Sequence, residues 1–195
     1  DLKYRRPVVD GDFRAALAIK PTTDSEAHQL YLQGRYLWNR RTGQNLKKAL
    51  SYFQQAVEKD PNFALAYTGI ADSCALIPVY GAGAPKDYYP SAKAAAEKAL
   101  QLDDTLAEAH TSLANVFFRY LELGKSASEF ERSIQLNPNY PTTHQWYGRL
   151  TLLALGQFDH ALAEAKRAVE LDPVSPIGHT DVGTVYLIER RYVEA

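Results

Sequence analysis

The stretch Ala56 to Ala71, AVEKDPNFALAYTGIA, is written out three more times along the chain. The copies are ALQLDDTLAEAHTSLA (Ala99 to Ala114), SIQLNPNYPTTHQWYG (Ser133 to Gly148) and AVELDPVSPIGHTDVG (Ala168 to Gly183), and their starts lie 43, 34 and 35 residues apart. A period near 34 marks a stacked array of small supersecondary units. Each copy opens on the last turn of an apolar helix, passes an Asp-Pro, Asn-Pro or Asp-Asp corner, and enters another helix that ends on a small residue. Proline lacks an amide hydrogen and fixes its own φ, so Pro61, Pro138 and Pro173 each stop one helix and permit the next. The expected fold is all-α, a superhelix of antiparallel helix pairs.

The helix before each corner carries small side chains at helical spacing. The runs are Ala49, Phe53, Ala56, then Ser126, Phe130, Ser133, then Ala161, Ala165, Ala168. Small residues let two helices approach closely, and the larger one fills the gap between them. This pattern resembles the tetratricopeptide repeat, with its small residue at position 8, Ala at 20, aromatic at 24, Ala at 27 and Pro at 32. The resemblance covers residues 26–195 and implies a solenoid of about four and a half repeats, bounded at 26–61, 62–104, 105–138, 139–173 and a truncated 174–195. Five first helices and four second helices are expected to be complete, and the chain reads as a fragment of a longer protein.

Residues 1–22 lack the pattern and read as a linker or the tail of an upstream domain, with one short helix at Gly11 to Ile19. Thr23 and Glu26 have capping-box spacing and place the first array helix there; Thr105 and Glu108 repeat the signal for the third repeat. The loop after that first helix reads three residues longer than the repeat standard. The run PTTDSEAHQLYLQGRYLWNRRT is similar to a bacterial subfamily in which repeats follow a winged-helix DNA-binding domain, a TolB-like β domain or a serine/threonine kinase domain. That resemblance implies a signalling role and a cytoplasmic location, or a periplasmic one if the parent protein carries an upstream transmembrane helix.

Composition narrows the function classes. A formal net charge of -1 gives no basic excess, which argues against direct nucleic-acid binding. No apolar run is long enough for membrane insertion. Cys74 is the one cysteine, so no intrachain disulfide forms, and a buried inert thiol is expected. His110, His144 and His179 share repeat position 4, yet equivalent residues on stacked helices stand roughly 8–10 Å apart, too far for one zinc. They read as core or edge histidines. Asp103 and Asp104 read as capping groups at a corner. No nucleophile elbow and no phosphate-cradling loop is present, and Gly81-Ala82-Gly83 has neither a preceding strand nor a third glycine. The expectation is no enzyme, no metal and no cofactor.

What remains is the concave face. The repeat resemblance implies that positions 2, 5, 9, 12 and 13 of the first helices line it. Those positions hold Tyr31, Arg35, Trp38 and Asn39, then Leu65, Thr68 and Asp72, then Thr111, Asn115, Phe118 and Arg119. The later repeats add Gln145, Arg149, Leu152, Thr180, Thr184 and Leu187. Arginine and asparagine suit peptide carboxylates and main-chain groups. The clamp that captures acidic chaperone tails is absent, because its frame reads Tyr31, Arg35, Gly69, Glu108, Ser112. Between the helices of the second repeat lies an insert, IPVYGAGAPKDYYP, whose Tyr80, Tyr88 and Tyr89 either pack back on helix ends or form a lip beside the groove. The reading is a protein-interaction module for a peptide or protein partner; self-association and a small-ligand effector domain are the alternatives.

Overall fold

The structure, a computed structural model, describes residues 22–190. Among these residues, helices pair in order: α1 (Ser25–Asn39) with α2 (Gly43–Lys59), α3 (Ala64–Leu76) with α4 (Pro85–Leu102), and α5 (Ala107–Arg119) with α6 (Leu123–Leu136). α7 (Pro141–Trp146) continues as a π-helical stretch, Tyr147–Leu152, and pairs with α8 (Phe158–Leu171); α9 (Pro176–Ile188) follows. Each second helix also packs on the first helix of the next repeat. The result is the expected α-α superhelix. The stretch read as linker, with its short helix at Gly11 to Ile19, lies outside the described residues apart from Thr22.

The stripes of small residues form the seams. Ala49, Phe53 and Ala56 are fully buried, as are Ala92, Ala96 and Ala99 and then Ser126, Phe130 and Ser133. Phe53 shows why. Its ring lies between α1 and α3, and a Cβ built on Gly34 or Gly69 would sit 2.5 Å and 2.6 Å from it. The two glycines are the space that the ring occupies.

Four local expectations are corrected. The first cap is Asp24, not Thr23: its Oδ1 accepts the Glu26 and Ala27 amides at 2.8 and 2.9 Å, and a carboxylate there also meets the positive end of the helix. Thr105 does not cap α5, which starts at Ala107 after Leu106, because the Thr105 amide and hydroxyl are both taken by Asp103, at 2.9 and 2.7 Å. The same turn is built by Asp60 on the Asn62 amide and by Asn137 on the Asn139 amide. The extra residues after α1 do not lengthen its loop. They extend α2, which begins at Gly43 with Thr42 accepting the Asn45 amide. The insert of the second repeat is partly helical too: Pro85 occupies the first turn of α4 and Pro90 lies within it. Pro90 and Lys86 are both exposed, so the Lys86 carbonyl that loses its amide partner faces water.

Gly69→Ala isolates the seam. Alanine favours a helix by about 1 kcal/mol over glycine, but overpacking against the Phe53 ring costs about 1–3 kcal/mol. Thermal unfolding is therefore expected several degrees lower. In Gly124→Ala, where nothing lies within 4 Å of the added methyl, the melting temperature should be unchanged or higher.

Candidate functional site

The inner face is built by α1, α3, α5, α7 and α9, and its side chains are largely covered by one another. Tyr31 is a core residue, its ring 5.8 Å from Phe53 and 5.1 Å from Phe63. The Thr68 hydroxyl donates to the Leu65 carbonyl at 2.7 Å. Thr111 joins Ser133 and Thr143 in a buried hydroxyl triangle with sides of 2.6–2.8 Å, tying α5, α6 and α7 together. Leu65 and Leu152 are likewise buried. Thr180 and Thr184 donate to carbonyls one turn back, those of Pro176 and Thr180. These positions act in packing or in their own helices, because each of these hydroxyls reaches a carbonyl or hydroxyl of the array itself.

The other candidates converge. Arg35 and Asp72 form a buried ion pair at 3.9 Å, and the Ser112 hydroxyl donates to Asp72 at 2.6 Å. Trp38 is the centre: the Arg35 guanidinium lies 4.6 Å from its ring centroid, the Arg41 guanidinium 3.8 Å, and the Trp146 ring 6.0 Å. Arg41 also reaches Trp146 at 5.8 Å, so this cluster spans the first and fourth repeats. Asp181 then receives the Gln145 amide at 2.8 Å and the Arg149 Nε at 3.2 Å. Burial pushes the Asp181 carboxyl up, against the pull of Gln145, Arg149 and Arg41. Burial likewise lowers the Arg119 pKa.

Among the described residues, polar atoms of this face buried without a hydrogen-bond partner include Nε1 of Trp38, Nε of Arg119, and Nδ2 and Oδ1 of Asn115. An unpaired buried donor or acceptor costs about 1–3 kcal/mol. Beside Trp38, a cavity of about 340 Å³ runs between Asn39 and Arg41 on one side and Gln145, Asp172 and the start of α9 on the other. Of the two arrangements expected for the insert, packing on neighbouring helices is the one its Tyr88 and Tyr89 adopt. The Tyr80 carbonyl and the Ala82 methyl pack on Gly43, while Tyr88 and Tyr89 belong to α4, where Tyr88 covers Gly83 and Tyr89 meets Tyr120 edge-on at 6.2 Å.

Sequence reasoning missed Arg41, Trp146 and Asp181. Trp146 and Asp181 occupy the repeat position held by Gly69 and Ser112, and a tryptophan where the second and third repeats carry a small residue was the available signal. Cys74 is buried, and that burial pushes its thiol up to about 12. Among the described residues no group of His, Cys, Asp and Glu side chains could hold a metal ion, and no helix is long and apolar enough to cross a membrane.

The recurring histidines have a structural task. Nε2 of His110, His144 and His179 donates to the corner carbonyl six residues back, at 3.0, 2.9 and 3.0 Å. Nδ1 of His110 and His144 faces Glu129 and Glu164 of the paired second helix, at 2.6 and 2.5 Å. A carbonyl can only accept, so Nε2 carries the proton in each of these contacts. The hydrogen bond to Glu129 raises the His110 pKa, helped by the Asp104 carbonyl and opposed by burial and by Arg132. A raised folded-state value means stability that is fully present below the ordinary histidine pKa and is lost as pH rises through the folded one. Wild type should therefore exceed Glu129→Gln in melting temperature at pH 5.5, by on the order of 1–2 °C for a partly exposed pair, with the gap closing by pH 9. Unfolding curves across that range check it.

Known proteins share this repeat and this fold. Residues 143–175 match the tetratricopeptide repeat. Superkiller protein 3 of Schizosaccharomyces pombe is 27% identical over 87% of this chain, which spans 12% of that protein's length. The crystal structure of TTC0263, a thermophilic TPR protein of Thermus thermophilus, superposes with a TM-score of 0.68 at 19% identity, covering 90% of this chain and 87% of that one. A monomeric mutant of IFIT1 with Gppp-AAAA superposes with a TM-score of 0.66 at 15% identity, covering 93% of this chain and 42% of that one.

Proposed function

From its helix pairs and the repeat matched at residues 143–175, we propose that this chain is a tetratricopeptide-repeat protein and a non-catalytic interaction module whose inner face receives an extended segment of a partner protein. The observation that carries this reading is Asn115. Its amide offers one acceptor and two donors, all buried on the inner face and unused, and a peptide main chain offers a carbonyl and an N–H at matching separation. Arg119 and Trp38, with unpaired N–H groups on the same face, support it. The charge pattern favours a peptide over a phosphate chain, because Arg35 and Arg149 are each set against a carboxylate of the array. We further place the module in a bacterial regulator, on the resemblance of the stretch beginning at Pro21, with the partner segment controlling an output domain elsewhere in the parent chain.

On this reading a partner segment reaches the inner face by parting the contact between Trp38 and Trp146. These are the protein's two tryptophans, and intrinsic fluorescence reports on that contact directly. A second reading, a small-ligand effector domain, is favoured by the cavity of about 340 Å³ beside Trp38.

The test selects 12-residue peptides on the wild-type protein by phage display and titrates them by tryptophan fluorescence. Asn115→Leu removes a buried unpaired amide, so it should melt about 2–4 °C higher, a gain near 1 kcal/mol, while binding the selected peptides about tenfold more weakly. Equal affinity of both proteins for those peptides would remove Asn115 from the site. A mass by light scattering that rises with concentration would favour self-association instead.

A further inference from the structure

One helix face in the array is bare where its counterparts are covered. Each first helix carries a small residue at repeat position 8, Gly34, Ala71, Ala114, Gly148 and Gly183 in turn. Two residues before these stand Leu32, Gly69, Ser112, Trp146 and Asp181, and all but Leu32 are buried. One turn on, Ser73, Val116 and Val185 are buried, Leu150 is half-buried, and Tyr36 is 52% exposed. In the later repeats the preceding second helix supplies the cover, as the contact of Phe53 with Gly69 shows. On α1 the same face instead forms an open apolar depression of about 420 Å³, bounded by Leu32, Tyr36, Leu37 and Tyr52.

We propose that residues 9–20, which lie outside the described residues, are the second helix of a further half-repeat and occupy this face. The register carries the assignment. Pro61 follows Phe53 by eight residues and Ala56 by five; Pro138 follows Phe130 and Ser133, and Pro173 follows Ala165 and Ala168, by the same two intervals. Pro21 follows Phe13 by eight and Ala16 by five. Phe13 is thus the counterpart of Phe53, and Leu32, the counterpart of Gly69, is the residue it meets. The chain needed to reach the face is also present, because Pro21 stands four residues before Ser25, one more than the three that separate Pro61, Pro138 and Pro173 from Ala64, Pro141 and Pro176. With its front face filled by its own chain, the array offers partners the inner face rather than that end.

The experiment uses the full 195-residue chain. In the double variant Phe13→Cys, Leu32→Cys, mild oxidation should close an intrachain disulfide in a monomer; Cys74 does not compete, being buried with its thiol pushed up to about 12. A disulfide-linked dimer would show that a second copy covers the face, and absence of any cross-link would show that neither does; both results overturn the assignment. Hydrogen exchange on the wild type gives an independent reading. Amides of residues 9–20 should exchange at least about tenfold more slowly than in an unstructured chain, and Tyr36→Asp should abolish that protection while α5 to α8 keep theirs. Unprotected exchange over residues 9–20 in the wild type also overturns it.

Discussion

The array depends on how closely a second helix can approach two first helices at once. At the first seam a phenylalanine ring fills the gap, and Gly34 and Gly69 supply the space on either side. At the next seam the ring is replaced by Ala96, and at the third by Phe130, which stacks on Tyr147 at 5.3 Å. The side chains differ in size, but each is fully buried and sits at the same interval before a corner. Close packing tolerates these exchanges only where the facing residue compensates. That is why the copies differ in sequence and agree in register.

Polarity enters the seams where alanine is replaced by serine or threonine. Ser126 donates to the Ala114 carbonyl and meets Thr151, and the Thr111, Ser133 and Thr143 triangle does the same work between three helices. Such hydroxyls add directional bonds to an interface that alanine would leave to contact alone, and buried polar groups are tolerated when every member is satisfied. The corners are held in the same way, by histidines spanning a corner carbonyl and a carboxylate of the neighbouring helix. The π-helical stretch at Tyr147–Leu152 falls where the fourth repeat must present Trp146 inward and bring Gly148 against the Ala161 carbonyl, 2.8 Å from a built Cβ.

The inner face carries unpaired groups of its own, beside Ser73 Oγ and His28 Nε2 elsewhere in the array. Asn115, Trp38 and Arg119 keep buried polar atoms without partners, in the region where the chain also concentrates its aromatic rings and paired charges. The fold by itself does not choose a partner, since one structure of similar shape holds Gppp-AAAA. The choice lies in the chemistry of this face: an unused amide beside compensated charges matches a main chain better than a run of phosphates.

The recurrence of Pro61, Pro138 and Pro173 at matched distances from small residues was enough to specify helix pairs, their order and their seams, because a solenoid needs each unit to fit only its neighbours. Caps and insert boundaries were less legible. Thr23 and Thr105 carry the right residue type, but which side chain reaches an open amide depends on backbone geometry that Asp24 and Asp103 happened to meet better. The inner face was legible only as a set of positions. Tertiary structure decided that Tyr31 and Thr111 serve the core, that Arg41, Trp146 and Asp181 belong with Trp38, and that Asn115 is left unpaired. The grouping of Arg41 and Trp146 with Trp38 follows from the curvature that brings the first and fourth repeats together, a contact between residues more than one hundred positions apart that no local pattern encodes.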